Sequence, residues 1–255
     1  MTAPTAPASP APFRPFVASG RFFFRTRDFV LPVIMVALAL LTMPPAPAAR
    51  GIGSGALVPW GIAVSVLGQL WRAMCIGIVY IQRGGKNRRP HADDLVTDGF
   101  FSVCRNPLYV GNFGIQLGLL MVLDTPLGYA IGVPFIVWVY TAIVAAEEAF
   151  LRPQFGAAYE AYCRSVHRWL PSLDKIPAAF HAAAFDVRRV LRKEYGATAA
   201  WMTMCCALLA WRRLRQGDAD PVAVSWPILA GVWSAVIITY GIIRALKKSN
   251  HLRSN

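Results

Sequence analysis

Charge is scarce in this chain, and negative charge scarcest. Asp and Glu number 13 against 26 Lys and Arg, and the four types together make up 15% of the residues. A soluble domain carries more, which excludes a water-soluble globule. The four histidines (His91, His167, His181, His251) share no metal-ligand spacing. The five cysteines (Cys75, Cys104, Cys163, Cys205, Cys206) form no C-x-x-C pair, and three of them lie in apolar runs, as small buried side chains do. No metal site is expected. There is no internal repeat, and one membrane domain accounts for the chain.

What the chain has is apolar length. Hydrophobic residues make up 56% of it and come in long runs, the pattern of an all-α, polytopic transmembrane helical bundle. The formal net charge is +13. In a membrane protein that excess reflects positive-inside topology and attraction to anionic lipid. The basic residues flank apolar runs and form no groove-reading motif, so nucleic acid is not an expected partner.

Residues 1–20 are rich in Pro and Ala and read as a disordered tail. Arg21, Arg25 and Arg27 precede an apolar run over 29–43. Ala46-Pro47-Ala48 resembles a signal-peptidase site, but the long extension before the basic residues favours a retained first span. Further spans are expected over 56–81, 107–123, 127–146, 196–211 and 222–245. That makes about six, or five if the short run 196–211 is re-entrant. Asp124-Thr125-Pro126 makes spans three and four a helical hairpin, and a polar stretch follows over 147–195. A membrane core over 21–195 with additional C-terminal helices over 196–255 is the expected division. Arg83, Lys86, Arg88 and Arg89, then Arg188, Arg189, Arg192 and Lys193, then Lys247 and Lys248 fall on one side, read as the cytoplasm. Arg212, Arg213 and Arg215 fall on the other and fit that topology least.

Four groups of residues stand out against this background. The first is Arg105-Asn106-Pro107 at the mouth of span three. Pro107 suits the first helical position and Asn106 the N-cap. The helix start offers free N–H groups and a positive dipole end, and Arg105 adds a fork of donors suited to a carboxylate. Gly111, Gly114 and Gly118 follow at helical spacing, where a ligand or a neighbouring helix can approach the backbone. The alternative is an interfacial arginine above a small-residue packing stripe.

Glu147-Glu148, at the end of span four, form the second group. Adjacent helical positions point about 100° apart, so the two cannot face one ligand atom. A helix C-terminus disfavours negative charge, so they need partners, with Arg105, Arg152 or a cationic ligand as candidates. Tyr159 and Tyr162 share a helix face, and with Trp169 and Arg168 they suit the wall of a pocket for an aromatic base, or an aromatic belt at the lipid interface. Arg72 lies inside span two and calls for an acidic partner, Glu147 or a substrate acid group.

Together these pieces resemble the membrane methyltransferases of the isoprenylcysteine carboxyl methyltransferase and phospholipid methyltransferase superfamily, over roughly 68–171. The pattern is Leu95-Val96-Thr97-x-Gly99, Arg105-x-Pro107-x-Tyr109-x-Gly111, Glu147-Glu148, Phe155-Gly156-x-x-Tyr159-x-x-Tyr162 and Arg168-Trp169-Leu170-Pro171. The family commonly has histidine where this chain has Asn106, which caps and hydrogen-bonds but exchanges no proton near neutral pH.

The resemblance implies S-adenosylmethionine as methyl donor, a cytoplasm-facing pocket and a lipid-like acceptor entering from the bilayer. It implies cofactor contact at Leu95, Val96, Gly99, Phe100, Arg105, Asn106, Tyr109 and one of the two glutamates, and also at Tyr159, Tyr162, Arg168 and Trp169. Arg105, Glu147 and Glu148 are the expected catalytic group. Arg105 and the helix start would hold the donor's carboxylate. One glutamate would hold its amino group or ribose, and the other would fix Arg105 or orient the acceptor. Arg72 is the expected acceptor-side residue. A membrane NADPH-dependent reductase of the steroid 5-alpha-reductase kind and a non-catalytic lipid-binding protein are the alternatives.

Overall fold

A computed structural model describes residues 14–42, 55–79, 94–181, 184–216 and 222–249. Eight α-helices account for most of them. These are α1 (Arg14–Leu41), α2 (Leu57–Ile78), the single turn α3 (Phe100–Val103), α4 (Pro107–Leu123), α5 (Val133–Ser165), the short α6 (Ile176–His181), α7 (Val187–Gln216) and α8 (Trp226–Lys248). The basic cluster Arg83, Lys86, Arg88 and Arg89 and the Ala46-Pro47-Ala48 site lie outside the described residues.

The tightest contact is between α2 and α4. A Cβ on Gly61 would sit 2.6 Å from the Gly118 carbonyl oxygen, and one on Gly68 2.6 Å from that of Gly111. Each pair of glycines is about two turns apart on its own helix, so two antiparallel backbones meet at two levels. Gly111 and Gly118 therefore serve helix packing, one of the two roles their spacing allowed.

Helix α4 has the bounds expected of span three. Pro107 stands at its start, and Asp124 ends it in the left-handed conformation at φ 48°. The turn that follows leads through one π-helical turn (Gly128–Gly132) into α5, which completes the hairpin. Helix α5 does not stop near 146 as expected of span four but continues to Ser165. It breaks at Gly156, where φ is 50° and ψ −123°. A Cβ there would meet nothing within 4 Å, so the glycine is needed for its backbone angles rather than for space. The break turns Tyr159 and Tyr162 back toward the loop before α4.

Helix α1 begins at Arg14, so residues 14–20 are helical rather than tail. They dock on α5: Val17 is buried, and a Cβ on Gly20 would collide with the Ala142 carbonyl. Helix α7 also departs from expectation. It is 30 residues long and runs the depth of the bundle, with Glu194 beside Arg72 near its start and Arg212 beside Asp124 near its end. A re-entrant turn over 196–211 is thereby corrected: the buried ion pairs pin both ends of the helix. The three arginines that fitted least lie at this far end. Arg212 is buried against Asp124, and Arg213 lies 5.9 Å from the Trp226 ring.

Helix α8 returns along α7, with Tyr195 stacked on Tyr240 at 5.3 Å and Lys247 over the Tyr195 ring. The basic residues that open α7 and close α8 thus gather at the end of the bundle where α4 begins. Among the described residues three helical segments are long and apolar enough to cross a membrane: Leu57–Ile78, Gly128–Ser165 and Trp226–Lys248. Pro107–Leu123 is apolar but shorter. Helices α1 and α7 are long enough but carry several charged residues along their length, among them Arg25, Arg27 and Asp28 in α1 and Arg192, Lys193 and Glu194 in α7.

Candidate functional site

At the basic end of the bundle, two distant segments are stitched together. The Arg105 backbone N–H donates to the His167 carbonyl at 2.8 Å, and the Ser172 N–H to the Val103 carbonyl at 3.0 Å. Asn106 Nδ2 donates to the Arg168 carbonyl at 3.0 Å, and the Tyr162 hydroxyl to the Phe101 carbonyl at 2.7 Å. Asn106 holds the N-cap position but makes no side-chain cap bond, because its amide is used across this seam. Its carbonyl oxygen accepts from Tyr109 and Val110 instead.

Glu148 is the hub of the seam. It accepts two bonds from Arg168, Nε at 2.9 Å and Nη2 at 2.7 Å, and lies 3.4 Å from Arg105 Nη1. Arg105 Nη1 also contacts the Cys163 sulfur. One carboxylate thus faces two guanidiniums and leaves an excess of positive charge. The Glu148 side chain is 7% exposed and that of Arg105 11%. Arg105 Nε is buried with no hydrogen-bond partner. A buried donor without a partner is costly, and here it stands beside a net positive charge, so the donor set fits an acidic ligand group.

Glu147 faces elsewhere, as the 100° offset required. The Tyr109 hydroxyl donates to Glu147 at 2.8 Å and accepts from Arg27 at 2.8 Å. Tyr109 therefore belongs to the Glu147 network and not to the Arg105 seam. In the sequence Arg27 is legible only as one of the basic residues before the first apolar run.

The partner expected for Arg72 is corrected. It pairs neither with Glu147 nor with an acid left for substrate, but with Glu194 of α7, through Nε at 2.8 Å and Nη2 at 2.7 Å. Arg72 Nη1 also bonds Asn112. Gln69 donates to Glu194 and accepts from the Trp201 indole N–H. Glu194 lies 122 positions from Arg72, and its only mark in the sequence is a lone acid within a basic stretch.

The remaining expected contacts divide. Tyr159 and Tyr162 do share a face, with ring centroids 6.3 Å apart, and Leu95 packs on them. Val96 is half-buried in the same extended segment. Gly99 has φ 55°, and a Cβ there would lie 2.2 Å from a Val79 methyl; it starts α3 rather than lining an opening. The Phe100 side chain is fully buried, edge-on to Trp71 and Phe180, so it faces the core and not the seam. Trp169 packs against the main core. Burial pushes the Cys104 thiol, in the link before α4, up to about 11, against a smaller lowering by a backbone hydrogen bond from Asn106. It is no nucleophile at neutral pH. Among the described residues no three His, Cys, Asp or Glu side chains gather as a metal-binding group.

Comparison with known proteins finds the phospholipid methyltransferase family over residues 56–158. The chain is 32% identical over 113 residues to the cobalt-zinc-cadmium resistance protein CzcN of Cupriavidus metallidurans, covering 44% of this chain and 47% of that protein. It is 32% identical over 90 residues to a probable protein-S-isoprenylcysteine O-methyltransferase of Oryza sativa subsp. indica, covering 34% of this chain and 47% of that protein. It is 30% identical over 113 residues to the nickel-cobalt-cadmium resistance protein NccN of Alcaligenes xylosoxydans xylosoxydans, covering 44% of this chain and 47% of that protein. The chain thus spans about half the length of the curated relatives it matches. No solved structure matches. The matched segment holds α2, α4 and the glutamate pair of α5, and through it the chain is similar to the phospholipid methyltransferase family and to the isoprenylcysteine O-methyltransferases.

Proposed function

We propose that this protein is an integral membrane methyltransferase that uses S-adenosylmethionine and acts on a lipid-like acceptor, with its donor site facing the cytoplasm. One observation carries the assignment: a single buried carboxylate, Glu148, is shared by Arg105 and Arg168, and Arg105 keeps a buried, unpartnered Nε. When bound, the donor supplies a methyl group on a sulfonium, already activated for in-line displacement.

The chain's own residues then have to bind, align and exclude water. Arg105 and the start of α4 hold the donor's carboxylate through charge-assisted bonds and the helix dipole. Glu148 is a positioning residue that fixes both guanidiniums. Tyr159, Tyr162 and Leu95 form the apolar wall on the far side of the seam, and Asn106 ties that wall to the helix start. Phe100 takes part only through its backbone, because its ring is in the core. Glu147, with Tyr109 and Arg27, orients the acceptor. If the acceptor is an amine, Glu147 takes its proton; a carboxylate or thiolate acceptor needs no base.

Titration calorimetry on the purified full-length protein tests the assignment. S-adenosylmethionine should bind, NADPH should not, and Arg105→Ala should weaken the donor's binding at least tenfold. Unchanged donor affinity in that variant would falsify the assignment. Mass spectrometry of membrane lipids with and without the protein then identifies the acceptor, as a species heavier by one methylene.

A further inference from the structure

Large apolar side chains lie exposed at the end of the bundle where α4 begins, outside the three segments long and apolar enough to cross a membrane. Leu170 is 75% exposed and Leu173 71%, and Phe180, Phe185 and Val187 are exposed as well. They come from the chain between the seam and α7: the link after α5, a single 3₁₀ turn over Leu173–Lys175, helix α6 and the first residue of α7. So many large apolar side chains on one short stretch mark a surface that something covers.

Depth shows what covers it. Helix α2 has 22 residues, about 33 Å at 1.5 Å per residue, against a hydrocarbon core of about 30 Å. Its last turn therefore stands at the boundary between acyl chains and headgroups. Helix α6 packs beside that turn and not beyond it. Ala179 is buried in one cluster with Cys75, Ile76 and Ile78, and Ile176 packs on the same cluster. Phe180 meets Phe100 edge-on at 5.4 Å, and Phe100 meets Trp71 at 5.0 Å, about 10 Å before the end of α2. The Phe185 ring lies over Gly77, where an added Cβ would come within 2.1 Å of it. The Asp186 backbone N–H and Arg189 Nη1 both donate to the Gly77 carbonyl, at 2.9 and 3.2 Å. The stretch is thus fixed, through α6 and through Asp186, to the turn of α2 that reaches the headgroups.

The charges suit an anionic leaflet. From Arg164 to Arg192 the chain has six Lys or Arg and two Asp. Arg168 is held by Glu148, and Asp186 faces Arg189 at 3.4 Å. Asp174 is exposed beside Lys175, whose Nζ reaches the Ser165 carbonyl at 3.3 Å, and Arg188 is exposed next to Val187. Apolar side chains interleaved with basic ones are the pattern of a segment lying in the membrane interface.

We infer that this stretch is a membrane-surface anchor. Leu170, Leu173, Phe180, Phe185 and Val187 enter the acyl boundary of the leaflet, and Lys175 and Arg188 take the phosphates of its anionic lipids. The inference rests on the membrane placement of α2 and not on methyl transfer. It ties the seam to the leaflet, because Arg105 and Val103 are bonded to His167 and Ser172, where the anchor begins.

Electron paramagnetic resonance on the full-length protein in lipid nanodiscs tests it, with a nitroxide at Leu173→Cys or Phe180→Cys and the half-buried Cys163 and Cys206 replaced by Ser. In phosphatidylcholine both labels should collide more often with oxygen, which concentrates among acyl chains, than with a water-soluble nickel chelate. Adding phosphatidylglycerol should raise that ratio at least twofold. Lys175→Gln with Arg188→Gln should abolish the rise and leave the ratio in phosphatidylcholine unchanged. More frequent collision with the nickel chelate would overturn the inference, as would the absence of a rise or a rise that survives the double substitution. Protection from both reagents would mean that protein covers the stretch, and would overturn it too. If the Phe180 label unseats α6, which a drop in melting temperature would reveal, the Leu173 label decides alone.

Discussion

Two arginine–glutamate centres sit within this bundle, and they differ in balance. At the seam, Glu148 serves both Arg105 and Arg168, and the Arg168 side chain is 48% exposed. Deeper in, Arg72 meets Glu194 one to one, with side chains 6% and 3% exposed. The first centre has more cation than anion and a buried donor left over. The second is neutral, and Asn112 and Gln69 complete its bonding. An unbalanced centre is made to receive an anion, whereas a balanced, buried one is a clamp. By this criterion Arg72–Glu194 joins α7 to the α2–α4 pair, and Arg105–Glu148–Arg168 is the proposed ligand site.

Breaking the clamp should have the largest effect. Glu194→Ala leaves the Arg72 charge buried and uncompensated, at a cost of about 3–5 kcal/mol. Thermal unfolding in detergent should show the loss, while donor affinity of the fraction still folded stays near wild type. Breaking the seam should do the reverse. Arg105→Ala removes a charge-assisted contact of about 1.5–3 kcal/mol, or about 10–100-fold in donor affinity by calorimetry, with little change in melting. Equal effects of both variants on binding would erase the distinction between the two centres.

Gly156→Ala should be intermediate. Its backbone angles cost an alanine about 1–3 kcal/mol. Because the break at 156 aims Tyr159, Tyr162 and Arg168 at the loop, donor affinity should fall together with stability.

The Cys104 thiol supplies a pH test of the loop. Its pKa is raised from 9.0 to about 11 in the folded protein, so the folded state holds its proton longer than the unfolded state. The stability linked to this group is present in full below pH 9 and is lost as pH rises through about 11. A Cys104→Ala protein should show a weaker decline across that window in melting experiments. The smallest effect is expected of Asn106→His. A histidine ring N–H can replace the amide donor to the Arg168 carbonyl, so donor affinity should change less than about tenfold. Any gain in turnover would assign proton exchange to this position.

The sequence shows α4 almost completely, because proline at its start and the Asp-Thr-Pro turn at its end are local signals. It also shows that Glu147 and Glu148 serve different partners, since helical geometry alone separates them. It does not show the course of α5 beyond 146. There polar composition suggests an end, but Gly156 permits a break and a second helical stretch whose tyrosines pack on Leu95 and bond to Phe101. Nor does it show α7 as a full-length helix. The apolar run over 196–211 is short, and the flanking charges look solvated until Glu194 and Arg212 find buried partners.

The sequence by itself therefore determined the membrane class, the hairpin, the family resemblance and the residue types of the seam. These follow from runs, spacing and local turn chemistry. Tertiary structure alone decided the pairings: Glu148 with both Arg105 and Arg168, Glu147 with Tyr109 and Arg27, and Arg72 with Glu194. The physical reason is that a charge in a low-dielectric interior takes whichever partner the packing of distant helices brings within about 3 Å. No local feature of the chain encodes that distance.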